Sequence, residues 1–175
     1  EMCIRDSSAA FSTETPPTAH RKESDGPVMH PIQIADLAYL PVPAGDIALV
    51  IANSADWPRW FPNIQLSVTE NRGPLGLRWA ATGVVEGTSE IWLESVADGT
   101  NLHYFLHAAP TGTGSSAAQA KRAATLTNFY RFRFKDLVNE LRQLLDSDRP
   151  AGEDPLRWRA EHPRAREAHE EFPAS

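Results

Sequence analysis

Apolar and polar residues alternate along two neighbouring segments of the chain, 89–94 and 102–107. Alternation with a period of two is typical of β-strands that bury one face. The Asp98-Gly99 pair between the two segments favours a tight turn. The pattern therefore predicts a β-hairpin whose two faces differ in chemistry.

A two-residue turn at 98–99 determines which side chains face each other across this hairpin. In that register Glu94 lies opposite His103. The same register pairs Glu90 with His107. Two aromatic residues share this face, Trp92 and Phe105. The other face carries Ile91, Leu93, Leu102, Tyr104 and Leu106.

The ordered pattern as a whole extends from about residue 32 to residue 148. Strand-like segments lie at 34–40, 64–70, 75–85, 89–96 and 101–109, and Gly-containing turns separate the last four. Two short helices are predicted between the first and second segments, the second of them capped by Ser54 and ended by Pro62. Apolar residues at steps of three and four then predict one long helix that ends near Asp146. This order indicates an α+β domain in which a helix lies across an antiparallel sheet.

The two ends of the chain show neither the alternation typical of strands nor the spacing of three and four residues typical of helices. Residues 1–31 are rich in Ser, Thr, Pro and charge, and we expect a disordered leader there. Residues 149–175 combine prolines with charges of both signs, and we expect a charged, disordered tail with at most some helical content. One folded domain, 32–148, is predicted between them.

Composition narrows the functional classes. The chain has one cysteine, Cys3, and no Cys/His pattern typical of zinc sites, so we expect no disulfide, metal or cofactor. No apolar run approaches the roughly 20 residues of a membrane span, and no secretion signal is apparent, which predicts a soluble cytoplasmic protein. The net charge of -6 disfavours nucleic-acid binding. Five basic residues nevertheless gather in the long helix: Lys121, Arg122, Arg131, Arg133 and Lys135.

Four short motifs stand out in this order of elements: WPRWFP at 57–62, GLRW at 76–79, EIWLE at 90–94 and KDL at 135–137. Together with the element order they resemble the START/Bet v 1-like (SRPBCC) superfamily. Within it they are most similar to small actinobacterial proteins of the polyketide cyclase/dehydrase type. The resemblance covers about residues 34–150 and leaves both ends of the chain outside.

That resemblance implies a helix-grip fold, in which a curved antiparallel sheet wraps around the long C-terminal helix and encloses an apolar cavity. Members of the superfamily bind lipids, polyketides, hormones and other hydrophobic molecules, and only some of them catalyse reactions. The superfamily usually has six or seven strands, whereas this sequence predicts about five. Either one strand lies in an irregular segment or the cavity is reduced.

The orientation of the hairpin decides where a site could lie. If the aromatic face points inward, Trp92 and Phe105 line the cavity, and Trp79 joins them if a two-residue turn forms at 86–87. We favour this orientation because large aromatic side chains seldom cluster on an exposed face. If the face points outward, its opposite charges only stabilise a solvent-facing sheet. The candidate ligand-binding residues are Trp79, Trp92, Phe105, Trp60, Phe61 and Phe129.

Three of these candidates have an alternative role. Trp60 and Phe61 form either a lid at the cavity mouth or a plug in the seam between helix and sheet. Phe129 belongs either to the core or to the cavity wall.

The candidate catalytic residues are His103, His107, Glu94 and Glu90. A carboxylate beside an imidazole fixes its tautomer and raises its basicity, as proton transfer next to a carbonyl requires. One hypothesis is therefore a cofactor-independent cyclase or dehydratase that acts on an aromatic or polyketide-like molecule. The alternatives are a non-catalytic carrier or sensor of a lipid-like ligand and a protein-interaction module. The lack of a convincing nucleophile or metal site in the sequence favours binding over catalysis.

Overall fold

The structure is a computed structural model that describes residues 30–163. Its strands are β1 (Ile32–Leu40), β2 (Ile64–Asn71), β3 (Gly76–Gly83), β4 (Val85–Val96) and β5 (Gly99–Pro110). Its α-helices are α1 (Ala44–Ile51), α2 (Trp57–Trp60), α3 (Ser116–Asp146) and α4 (Pro155–Glu161). Single 3-10 turns, Ser54–Asp56 and Gly73–Leu75, precede α2 and β3. The predicted leader lies outside the described residues except for its last two positions.

The five described strands form one antiparallel sheet in the order β1-β5-β4-β3-β2. Strands β2 to β5 make a meander because short connections join each of them to the next. β1 pairs instead with β5, so that Leu40 lies opposite Thr100. α1 and α2 carry the chain from one edge of the sheet to the other, and α3 lies against β1 and β5. This arrangement is a helix-grip fold, which confirms the predicted fold class.

The inner face of the sheet, which points toward α3, is apolar. Alternate residues of β4 and β5 supply it because successive side chains of a strand point to opposite faces. They are Ile91, Leu93, Leu102, Tyr104 and Leu106, all fully buried. Residues of α3 at steps of three and four pack against them, namely Tyr130, Phe134, Leu137 and Leu141. Although α3 is long, neither it nor any other described helix combines the length and apolarity needed to cross a membrane.

The hairpin of β4 and β5 has a different register from the predicted one. Val96 pairs with Gly99, so Ala97 and Asp98 form the turn, and the predicted turn is one position too late. Gly99 is the first residue of β5. The position needs glycine because a Cβ there would lie 2.2 Å from the Leu40 carbonyl oxygen. Each predicted cross-strand pair is wrong by two residues, and every side chain of the hairpin keeps its predicted face.

The connection between β3 and β4 also differs from the prediction. The two strands join through Val84 rather than through the Glu-Gly turn that follows it. Gly83 makes this bend possible because its φ of 112° lies in a region that favours glycine. Trp79 consequently lies opposite Ser89 on the inner face, and its predicted place on the aromatic face with Trp92 and Phe105 is wrong.

Part of the predicted tail is folded. α4 begins after Asp154, whose carboxylate accepts a hydrogen bond of 2.9 Å from a backbone N–H of the first turn. Arg159 of α4 donates to the carbonyl oxygens of Pro41 at 2.6 Å and Asp98 at 3.1 Å. These bonds tie α4 to the end of β1 and to the β4–β5 turn. α4 is thus a helical part of the predicted tail, and residues 164–175 lie outside the described part of the chain.

Gly87 lies inside β4, where the backbone of β5 passes closely. A Cβ at this position would lie 2.1 Å from the His107 carbonyl oxygen and 2.6 Å from the Ala108 Cα. We predict that Gly87→Ala lowers the free energy of unfolding by more than about 1 kcal/mol, because backbone atoms would have to move. Urea denaturation measures the change. Gly45→Ala in α1 is the control, since nothing lies within 4 Å of its added Cβ, and equal stability of the two variants would contradict the close approach.

Candidate ligand-binding site

The aromatic face of the β4–β5 hairpin is the outer face of the sheet. The ring centroids of Trp92 and His103 are 4.4 Å apart, and those of His103 and Phe105 are 6.3 Å apart, so these partly exposed rings cover one another. The aliphatic face lies inside because it can be buried completely, whereas this face carries carboxylates that burial would strip of water. The predicted inward orientation, with Trp92 and Phe105 lining a cavity, is therefore wrong.

Glu94 and His103 come together across the strands as diagonal neighbours. Glu94 Oε2 lies 3.1 Å from His103 Nε2 and accepts a hydrogen bond of 3.1 Å from Asn101 Nδ2. The bond from Asn101, followed by the one from His103, holds the pKa of the Glu94 carboxyl below its usual value. The Glu94 side chain is 44% exposed, so solvent reaches this pair directly.

Glu90 and His107 are not brought together. The Glu90 carboxylate lies between two guanidinium groups, with Arg72 Nη1 at 2.5 Å and Arg78 Nε at 2.9 Å. His107 is exposed and lies opposite Thr88. The sequence does not predict the Arg72 contact because it depends on how the chain turns between β2 and β3. Among residues 30–163, no three His, Cys, Asp or Glu side chains are grouped so that they could hold a metal ion.

Trp60 and Phe61 are packed in the core. Trp60 Nε1 donates to Glu140 Oε2 of α3 at 3.1 Å, and the Arg59 guanidinium donates to the same oxygen. Phe61 stacks on Tyr104, with ring centroids 5.4 Å apart. Both residues close the seam between α3 and the sheet, as the plug alternative predicts.

Phe129 and Trp79 lie in opposite environments. Phe129 is 39% exposed on α3, and its ring meets the Tyr130 ring edge-on at 5.1 Å. Trp79 is fully buried on the inner face, and its ring meets the Trp57 ring edge-on at 5.5 Å. Of the two, only Trp79 lies on the inner face of the sheet.

Two fully buried polar groups on the inner face have no hydrogen-bond partner among the described residues, the Trp79 Nε1 and the Tyr104 hydroxyl. Trp79 lies opposite Ser89, whose own hydroxyl donates to the Phe105 carbonyl oxygen at 3.3 Å. Burial raises the pKa of the Tyr104 hydroxyl. Because an unpaired buried donor is costly, these groups mark a place where an acceptor would bind favourably.

An open groove of about 670 Å³ runs between β1 and α3. It is lined by Asp36, Leu37, Ala38, Arg131, Phe134, Lys135, Val138, Asn139 and Arg142. Phe134 separates the groove from the core, because its ring lines the groove and also stacks on Tyr104 at 5.1 Å. None of these lining residues is predicted as a site residue from the sequence. The available signal is the spacing of the basic residues at 131, 135 and 142, which places them on one helix face.

Comparisons with known proteins concern the fold. No family model matches the sequence, and no curated protein matches it. The Aha1 dimer from Colwellia psychrerythraea is similar in structure, with 10% identity over 67% of this chain and 99% of that chain and a TM-score of 0.45. A protein from Deinococcus radiodurans is 14% identical over 57% of this chain and 94% of that chain, with a TM-score of 0.39. A START superfamily protein from Mycobacterium smegmatis is 15% identical over 62% of this chain and 98% of that chain, with a TM-score of 0.36.

The unpaired hydroxyl of Tyr104 has a measurable consequence for stability. We predict that Tyr104→Phe raises the free energy of unfolding of the ligand-free protein by about 1 kcal/mol, because the variant buries one unsatisfied polar group less. Tyr130→Phe is the matched comparison and should lower the free energy of unfolding by about 1 kcal/mol. The Tyr130 hydroxyl donates to the Pro62 carbonyl oxygen at 2.8 Å, and that bond would be lost. Thermal denaturation measures both variants, and equal losses would show that the Tyr104 hydroxyl does have a partner.

Glu140 makes the contact between α2 and α3 sensitive to pH. The hydrogen bond from Arg59, and after it the one from Trp60, hold the pKa of the Glu140 carboxyl below its ordinary value of 4.5. A lowered pKa in the folded state stabilises the protein above that ordinary value, and the stabilisation is lost as the pH falls through the folded pKa. We predict that Glu140→Gln lowers the free energy of unfolding most near pH 7. The difference in this free energy between variant and wild type should shrink below pH 4.5. Urea denaturation across this range tests it, and a difference independent of pH would contradict the assignment.

Proposed function

We propose that this protein binds one small, largely apolar molecule in the groove between β1 and α3. The observation that carries the proposal is the position of Phe134, whose ring forms part of the groove and covers the Tyr104 ring. A molecule in the groove would lie one aromatic ring away from a buried hydroxyl that has no partner among the described residues.

The size and lining of the groove support this proposal. Its volume of about 670 Å³ falls within the roughly 300–1,000 Å³ typical of small-molecule sites. Leu37, Ala38, Phe134 and Val138 provide apolar contacts. Leu37 is 60% exposed, so a ligand that covers it would release water from apolar surface.

Movement of the Phe134 ring would connect the groove to the interior. The rings of Phe61, Tyr104 and Phe134 form one stack, and a flat ligand could replace Phe134 in it with similar aromatic contact. A carbonyl oxygen of the ligand could then accept a hydrogen bond from the Tyr104 hydroxyl, with Trp79 Nε1 as a second donor. Aromatic or polyketide-like molecules and lipid-like chains with one acceptor group fit this description.

The proposed role is that of a carrier or sensor. The Glu94–His103 pair lies on the outer face of the sheet, so a molecule between the inner face and α3 does not touch that imidazole. Tyr104 is the polar side chain of the inner face that lies directly behind Phe134, and burial raises its pKa. At neutral pH its hydroxyl is therefore a hydrogen-bond donor and not a base.

Binding of the neutral fluorescent probe N-phenyl-1-naphthylamine tests the proposal. We predict that the full chain binds it saturably with one probe per chain. Asn139→Trp should weaken binding by at least about tenfold, because an indole at this exposed lining position would fill the groove. Asn128→Trp makes the same change at an exposed position on the same face of α3, about 16 Å nearer its start, and should leave the affinity unchanged.

Two results would overturn the proposal. The first is an absence of saturable binding to the wild-type chain. The second is an equal loss of affinity in the Asn139→Trp and Asn128→Trp variants, with circular dichroism showing that both are folded.

A further inference from the structure

We propose that the molecule bound in the groove is an anionic amphiphile, whose carboxylate, sulfonate or phosphate group is held by Lys135 and Arg142. This inference rests on the proposed function and deepens it by naming the chemical class of the ligand. The observation behind it is an excess of positive charge at one rim of a groove with an apolar floor.

Three cations and one carboxylate line the groove. Arg131 and Asp36 pair with each other, with Nε and Oδ1 3.5 Å apart. Lys135 and Arg142 have no carboxylate within 4.0 Å among the described residues. Three positive charges less one negative charge leave the groove with two positive charges that no described carboxylate neutralises.

Most cations of the described surface outside the groove are paired, although Lys121, Arg122 and Arg159 form no ion pair with a described carboxylate. Six arginines outside the groove form ion pairs with Asp or Glu: Arg59, Arg72, Arg78, Arg133, Arg149 and Arg157. The chain as a whole carries a formal charge of -6 at pH 7. An anion is therefore repelled by the protein in general and attracted by this rim.

The placement of the two cations suits a molecule with a charged head and an apolar body. They are seven residues apart on α3, which is two turns of one helix face, or about 10 Å. Val138 lies between them and belongs to the apolar floor. Arg142 Nη2 donates to the Tyr39 carbonyl oxygen at 3.1 Å, which holds the guanidinium at the groove. Lys135 lines the groove, and its ammonium lies 5.5 Å from the Phe132 ring centroid.

Two dyes that differ by one sulfonate separate the effect of charge from that of apolar contact. 1-Anilinonaphthalene-8-sulfonate carries the anion, and N-phenyl-1-naphthylamine has the same ring system without it. We expect the full wild-type chain to bind the sulfonate at least about tenfold more tightly at low ionic strength, as one charge-assisted hydrogen bond would give. This preference should fall as the salt concentration rises, because salt screens charges at an open site.

Paired variants test whether the rim is responsible. The double variant Lys135→Gln/Arg142→Gln should lose the preference for the sulfonate, and both dyes are measured on it so that a change common to both is separated from the effect of charge. The control is Lys121→Gln/Arg122→Gln, which removes the same charge from exposed positions nearer the start of α3 and should keep the preference.

Competition distinguishes an amphiphile from other anions. Dodecanoate should displace the sulfonate dye, whereas dodecanol should do so more weakly and sodium sulfate at matched ionic strength should not. Displacement by sulfate as effective as that by dodecanoate would assign the rim to small inorganic anions and overturn the inference. Sedimentation with anionic phospholipid vesicles, without competition by dodecanoate, would assign it to a membrane surface and also overturn it.

The dye measurements keep this inference distinct from the proposed function. If the wild type binds both dyes equally, or if the Lys135→Gln/Arg142→Gln variant keeps the preference, the choice of an anion is wrong and the groove still binds apolar molecules. If the wild type binds neither dye, the proposed function itself fails.

Discussion

The stack of Phe61, Tyr104 and Phe134 is the contact on which the rest of the structure depends. Phe61 follows α2, Tyr104 belongs to β5 and Phe134 belongs to α3, and the adjacent ring centroids lie 5.4 and 5.1 Å apart. Because each ring buries a large apolar area, the stack holds α3 over β5 and draws the segment after α2 into the seam between them. It also encloses the Tyr104 hydroxyl, which finds no partner among the described residues. The contact that closes the core thus leaves a polar group inside it, directly behind the groove.

The orientation of the hairpin follows from the cost of burying charge. One face of β4 and β5 is mostly aliphatic and carries no charged residue, and the other carries Glu90 and Glu94 beside its aromatic rings. Burying even one carboxylate costs several kcal/mol, which exceeds the roughly 1.5–3 kcal/mol gained from burying one large apolar side chain. The aromatic rings therefore stay outside with the carboxylates, and Trp92 recovers part of the lost burial by stacking on His103.

The part of this fold that can be predicted from sequence is the part encoded by the pattern of residues within single segments. Periodicity and turn residues predict the order of strands and helices, and with the family resemblance the helix-grip fold, because each signal lies within one segment. Strand registers are harder to predict than the order of elements. Gly87 and Gly99 resemble turn residues, but in the structure they allow neighbouring backbone segments to pass closely. The groove is harder still, because it forms where α3 crosses β1, two segments far apart in the chain. Only the basic spacing of Arg131, Lys135 and Arg142 marks it beforehand.

The groove and the protection of the sheet edge involve the same side chains. β1 is an edge strand, and an uncovered edge offers unpaired backbone groups to other chains. Long side chains of α3 reach it: Arg142 donates to the Tyr39 carbonyl oxygen, and Arg131 pairs with Asp36. α3 lies against β1, and these side chains line the open groove between the two elements. Short side chains at these positions would leave the edge uncovered, so the residues that protect β1 also give the groove its charge.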